Sequence, residues 1–259
     1  MHIGVYQSAG GALTIEQRLS SLTNIIKTTI DSTNQPLDLV VCPELFACGY
    51  NAGDELVRHA QAQNGPITEQ IAVITKKLNC HIIFGYSERE DNKLFNSAMC
   101  VSPTGTIIAN HRKRLNSPSS FEGDYFTESK SRTLFSINGI KISLMICYEV
   151  EFPESVRKAA IDGAQLVVVP TALVKQWGVV ADCVVPARAF ENGVWLAYAN
   201  HAGHENGLDY LGHSKIVAPD GKIEAAAGTD ETLIYATIDT DRVSAAQARL
   251  PYLKNYQNA

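Results

Sequence analysis

Apolar residues recur along this chain with two periods. Between residues 14 and 34, Ile15, Leu19, Leu22, Ile25, Ile26 and Ile30 fall on one helical face, and Thr14 with Gln17 offers a capping box at its start. Leu37-Asp38-Leu39-Val40-Val41 is a short apolar run that predicts a buried strand. Ile67, Ile71, Ile74 and Leu78 mark a second helix, and residues 81–86 a second strand. Residues 97–101 and 106–111 flank Ser102-Pro103-Thr104-Gly105, whose turn chemistry predicts a hairpin. The polar stretch 114–131, punctuated by Pro118 and Gly123, predicts a loop long enough to serve a function.

Strict alternation over 140–146 predicts a strand, and Pro153 suits the first position of a helix that stops near Gly163. Residues 166–170 read as a buried strand, 181–192 as a helix and 194–199 as a strand. Residues 210–218 and 233–238 read as the last strands, joined by Pro219-Asp220-Gly221. No repeat, low-complexity tract or linker divides the chain. The expectation is one domain over 1–259, a layered α/β fold with helices outside mixed sheets.

Composition changes this picture little. The 259 residues, 45% hydrophobic and 19% charged, exclude disorder as the main state and allow a substantial core. A formal net charge of −5 gives no basic footprint for nucleic acid. No stretch reaches the roughly 20 apolar residues that cross a bilayer, and the start lacks a signal-peptide pattern, so a cytoplasmic protein is expected. The six cysteines are dispersed without a Cys-x-x-Cys pair. In a chain of this kind most are expected to be reduced, buried small hydrophobes.

Three residues stand at strand ends where chemistry collects. Cys147 follows the alternating strand and precedes a turn whose backbone amides can face an anion, an arrangement akin to a nucleophile elbow without its Gly-x-Ser-x-Gly signature. From position alone it reads more readily as a buried core cysteine. Glu44 lies just past a buried strand, where open α/β sheets gather ligands, though by itself it reads more readily as a solvated loop glutamate or helix cap. Lys113, in His111-Arg112-Lys113-Arg114, reads by itself as a solvated basic edge. Together a thiol, a carboxylate and an ammonium form a toolkit: nucleophile, proton acceptor and oxyanion stabiliser.

The same residues resemble a known family. Cys42-Pro43-Glu44-Leu45-Phe46 with Gly49-Tyr50 is similar to the glutamate motif of the nitrilase (carbon–nitrogen hydrolase) superfamily. Arg112-Lys113 is similar to its lysine motif, and Ile146-Cys147-Tyr148-Glu149 with Phe152-Pro153-Glu154 to its cysteine motif. Residues 168–172, 188–192 and 217–221 match further segments in order along nearly the whole chain. The resemblance implies a four-layer αββα sandwich, two mixed sheets between outer helices, that dimerises, and a reaction without cofactor or metal. It implies Cys147 as nucleophile, Glu44 as proton carrier, and Lys113 with the Tyr148 backbone N–H as oxyanion donors. It further implies a second glutamate in the following loop, for which Glu122 matches better than Asp124 or Glu128. One departure is clear: the family's Lys-x-His-Leu reads Lys113-Arg114-Leu115-Asn116 here.

The Cys-Tyr-Glu and Pro-Thr-Ala sequences resemble amidase members, so the expected activity is hydrolysis of a small non-peptide amide. A nitrilase or N-carbamoyl amidohydrolase with the same three residues is the alternative. Two other classes are a catalytically silent scaffold of the same fold and a cysteine–histidine enzyme using His201 or His204 as base. Tyr50, Tyr148, Thr171, Ala172 and Trp177 are the candidate substrate-binding residues, although aromatics serve packing equally well. Arg188, Glu191 and Asn192 are expected to fix a helix and strand through buried hydrogen bonds. His201, His204 and Glu205 lie in a glycine-containing loop without zinc-site spacing, and no metal is expected. His213 reads as a strand residue, and Cys183 as structural.

Overall fold

The computed structural model describes residues 1–118 and 120–258. Ser119, inside the stretch expected as a loop, and Ala259 lie outside the described residues. The first sheet opens with three parallel strands, β1 (His2–Ala9), β2 (Leu39–Val41) and β3 (His81–Glu90). They are linked by α1 (Ile15–Thr33) and, past a single turn α2 (Glu55–Arg58), by α3 (Pro66–Leu78). The capping box at Thr14 forms as its sequence requires, and α1 and α3 end on left-handed Asn34 and Asn79. Antiparallel β4 (Lys93–Val101) and β5 (Ile107–Arg112) complete that side.

After a one-turn helix α4 (Glu122–Tyr125), the hairpin β6 (Thr133–Ile137) and β7 (Ile140–Leu144) starts the second sheet. Helix α5 (Pro153–Ile161) leads to β8 (Leu166–Pro170), and α6 (Val185–Asn192) leads to β9 (Trp195–Ala199). Three short strands follow: β10 (His201–Ala202), β11 (His204–Glu205) and β12 (Leu208–Asp209). Next come β13 (Lys215–Val217), β14 (Ile223–Ala226), β15 (Thr232–Thr237) and the helices α7 (Thr240–Arg249) and α8 (Tyr252–Gln257).

The second sheet runs β14-β13-β9-β8-β7-β6, and the first β10-β1-β2-β3-β4-β5 with β15 also on β1. Inward residues of both sheets, among them Val5, Ile83, Leu144, Val168 and Trp195, form one shared core. The outer face of the first sheet packs on α1 and α3 through Leu22, Ile26, Ile71 and Phe84. That of the second packs on α5 and α6 through Val156, Val167, Val185 and Leu196. The architecture is the αββα sandwich. No helix among the described residues is long and apolar enough to cross a membrane.

Several elements differ from the sequence expectation. The strand expected over 210–218 shrinks to β13, because Gly212 and His213 both take left-handed backbone conformations that no continuous strand tolerates. His213 is therefore not a strand residue. Pro219-Asp220-Gly221 turns into β14, which the pattern missed, while β15 crosses to the other sheet and pairs antiparallel with β1. The loop over 114–131 contains α4, which carries Glu122. Strand β6 and helices α7 and α8 went unread, the helices because their apolar content is low. Cys183 is exposed, whereas the other five cysteines are buried.

Candidate active site

The first sheet delivers Glu44 three residues beyond β2 and Lys113 one residue beyond β5, while the second delivers Cys147 just past β7. Each comes from the end of a strand, and all meet at one end of the sandwich. Cys147 opens a 3-10 turn, Cys147–Glu151, with φ of 47°, a left-handed conformation unfavourable for a non-glycine residue and held here by its surroundings. Two anchors hold it. Glu149, fully buried, accepts the Ile146 backbone N–H at 2.8 Å and pairs with His111 Nε2 at 2.8 Å. From the opposite side, Arg188 donates through Nε to the carbonyl of Val150 at 3.0 Å and through Nη2 to that of Glu151 at 2.6 Å. Arg188 thus ties α6 to the turn, the structural role expected for the segment, with Glu191 and Asn192 closing the same network.

Glu44 is held through its backbone and one carboxylate oxygen. Its N–H donates to the Thr171 carbonyl at 3.3 Å, and its own carbonyl accepts His201 Nε2–H at 2.8 Å. Its Oε1 accepts Asn96 Nδ2 at 2.7 Å and Lys113 Nζ at 2.7 Å. Its Oε2 is buried and has no hydrogen-bond partner among the described residues, which leaves one basic oxygen free to take a proton. Lys113 Nζ also reaches Glu122, at 2.8 Å from Oε1 and 2.7 Å from Oε2, and Tyr50 donates its hydroxyl to Glu122 Oε1 at 2.7 Å. An ammonium between two carboxylates is thus removed from water. The solvated-edge reading of Lys113 and the solvated-loop reading of Glu44 are incompatible with 1% and 0% exposure, and Glu122 is equally buried.

Burial pushes the Glu44 carboxyl up to about 7; the Lys113 charge opposes the shift and the Glu122 charge adds to it. Burial alone would lower Lys113, but Glu44 and Glu122 outweigh it and hold the ammonium firmly protonated. Burial and the charge of Glu44 push the Cys147 thiol well up, against the attraction of Lys113. The resting thiol is therefore protonated and depends on a base when it reacts.

Cys147 opens onto a cavity of about 550 Å³ walled by Tyr50, Phe121, Tyr148, Ala172 and Trp177, among others. Of the candidate substrate-binding residues, Tyr50, Tyr148, Ala172 and Trp177 line it. Thr171 is not among the lining residues; it is fully buried, its hydroxyl 3.2 Å from that of Tyr198 and within hydrogen-bonding reach of the Cys147 thiol. Two residues escaped the sequence reading. Asn96 links Glu44 to Lys113, its backbone carbonyl accepting the Lys113 backbone N–H at 2.8 Å while its side-chain amide donates to Glu44, and the available signal was an amide in the middle of β4. Glu149 was visible only as part of a motif.

The loop histidines have other partners. His201 engages Glu44 O through Nε2 and Ser8 Oγ through Nδ1 at 2.9 Å, and burial lowers its pKa to about 4. His204 is exposed and pairs with Asp209. Neither His201 nitrogen is free to serve the thiol. Glu205 is buried against Arg18 at 2.9 Å and accepts the Tyr210 hydroxyl at 2.5 Å. Among the described residues no group of three or more His, Cys, Asp or Glu side chains is placed to hold a metal.

The chain's relatives agree in kind. The sequence profile of the family described as carbon-nitrogen hydrolase matches residues 2–248. A "Hydrolase in pqqF 5'region" of Pseudomonas protegens is 36% identical over 257 residues, covering 98% of this chain and 88% of the relative. An (R)-stereoselective amidase of a Pseudomonas species is 30% identical, with 98% and 91% covered. Among solved structures, a mutant of the amidase from Nesterenkonia sp. AN1 superposes with a TM-score of 0.84 at 30% identity, covering 97% of this chain and 95% of that one. That structure shows covalent addition of the acetamide moiety of fluoroacetamide at the active site cysteine.

Proposed function

The chain belongs to the carbon–nitrogen hydrolase (nitrilase) family, and from that premise we propose that it hydrolyses a small amide through a thioester on Cys147. It is an amidase-type hydrolase of carbon–nitrogen bonds other than peptide bonds. The observation that carries the finer reading is the buried Lys113 ammonium held between Glu44 and Glu122 at the site of the thiol.

In this mechanism the Cys147 thiol gives its proton to the free Oε2 of Glu44 as sulfur attacks the amide carbonyl carbon. Negative charge grows on the carbonyl oxygen. An N–H of Lys113 and the backbone N–H of Tyr148 stabilise it in a site where water competes weakly. The tetrahedral adduct collapses, the C–N bond breaks, and the nitrogen leaves as ammonia with the proton from Glu44. A thioester remains. Glu44 then accepts a proton from an attacking water, the second adduct forms, and its collapse releases the carboxylic acid while the proton returns to sulfur. The chain's own residues supply every proton carrier and donor in this cycle. Glu122 and Tyr50 keep Lys113 aimed, because an ammonium on a four-carbon stem is otherwise mobile.

Ammonia release from a panel of amides, N-carbamoyl compounds and nitriles tests the assignment. Amides are expected to turn over, with no release by Cys147→Ala and roughly 10²–10⁴-fold less by Glu44→Gln, the range for loss of general acid–base catalysis. Rapid turnover of nitriles with inert amides would overturn the amide reading. Absence of any acyl adduct on Cys147 by intact-mass measurement, together with no turnover, would favour a silent scaffold.

A further inference from the structure

The walls of the cavity above Cys147 are apolar or neutral with one exception. Among the described residues lining it, Glu151 alone carries a charge; no lysine, arginine or histidine is present. Glu151 closes the 3-10 turn that Cys147 opens, so the nucleophile and this carboxylate share one rigid element. Its backbone carbonyl is held by Arg188 at 2.6 Å. The Arg188 side chain is itself ion-paired to Glu191 at 3.1 Å, not to Glu151. The Glu151 carboxylate has no hydrogen-bond or ion-pair partner among the described residues.

A half-buried carboxylate at a cavity wall loses hydration without a partner, and such a group gains most when a ligand brings a positive charge. Burial does raise the Glu151 pKa, with Lys113 and Arg188 acting against the rise. The other walls favour the same ligand. Tyr50, Phe121, Tyr148 and Trp177 present aromatic rings, whose faces attract cations. A carboxylate on the substrate would meet Glu151 without any cation on the wall to receive it.

We propose that the cavity selects amides whose far end carries a positive charge, an alkylammonium or guanidinium group, with Glu151 as the specificity-determining carboxylate. Amides that end in a carboxylate are discriminated against. The inference rests on the reading of the site as an amide hydrolase and adds the chemical class of its substrate.

The experiment compares three amide sets of matched chain length: ω-aminoalkanamides, methyl-terminated alkanamides and ω-carboxyalkanamides. For the unaltered protein, kcat/KM is expected to fall in that order, and the amino-to-methyl ratio is expected to shrink with added salt. Glu151→Gln should reduce the same ratio roughly tenfold or more, mainly through KM. Glu151→Arg should reverse the order of the amino and carboxy sets. Turnover of the methyl-terminated set by each variant reports that it is folded.

A ratio unchanged by Glu151→Gln, a ratio insensitive to salt, or a preference for the carboxy set would overturn the inference and leave amide hydrolysis standing. No turnover of any set, with Cys147 unmodified by fluoroacetamide, would instead remove the amide-hydrolase reading and this inference with it.

Discussion

Glu44 and Glu122 share a single ammonium, so ionising both leaves one uncompensated negative charge in a buried pocket. That excess, added to desolvation, places the Glu44 carboxyl near neutrality, where a group can both take and return a proton. kcat/KM is therefore expected to rise with pH as Glu44 ionises, with a midpoint of about 7. A profile already flat through that region would remove Glu44 as the base. The same shift has a stability consequence of opposite sign. The folded carboxyl sits above its ordinary 4.5, so between 4.5 and about 7 the folded state binds more protons than the unfolded chain. Its contribution is fully present below that window and is lost as pH rises through it. Glu44→Gln removes this dependence. Its melting temperature relative to the unaltered protein should increase on going from the acid side of the window to the alkaline side.

At the scale of elements, the site depends on backbones brought unusually close. Gly85 in β3 faces the turn after β2, and a Cβ there would overlap Leu45 N, lie 2.7 Å from Pro43 O and 2.8 Å from Glu44 C. These are backbone atoms that cannot swing aside. Gly85→Ala is expected to push the Glu44 turn outward, lower kcat at least tenfold and cost about 1–3 kcal/mol of stability. Gly228→Ala, where a Cβ meets nothing within 4 Å and φ is not left-handed, serves as the neutral control. Parallel kcat and urea-midpoint measurements on the two variants decide the matter, and equal behaviour would dismiss the packing argument. The nucleophile turn follows the same logic: Glu149 and His111 hold its entrance while Arg188 holds its exit.

For the molecule as a whole, the two sheets meet in one shared core, and Trp195 is the largest fully buried side chain in it. Its ring packs among residues of both sheets, Arg242 lies over it at 4.9 Å, and its Nε1 donates to Asp239 O at 2.8 Å. Trp195→Ala should destabilise the fold by about 3–5 kcal/mol through lost burial and an unfilled cavity. Val73→Ala, on the 65% exposed outer face of α3, should stay within about 0.5 kcal/mol. Denaturant midpoints compare the two directly, and comparable losses would contradict a single load-carrying core. Since both sheets contribute catalytic candidates, loosening this core is expected to separate Glu44 and Lys113 from Cys147 as well.

The chain's local pattern determined its helices and most of its strands, because amphipathic period, capping Thr14 and helix-starting Pro66 and Pro153 act over a few residues. The motifs around Glu44, Lys113 and Cys147 likewise marked the candidate chemistry. Only the tertiary structure decided that Lys113 is enclosed by two carboxylates, that Asn96 bridges the pair, and that Glu151 is the one charge among the described residues of the cavity wall. It also decided that β15 leaves its neighbours to pair with β1. The physical reason is range: hydrogen bonding within a turn and apolar periodicity are written in adjacent residues. Desolvation, ion pairing and strand partnership arise between segments whose meeting depends on how every layer packs.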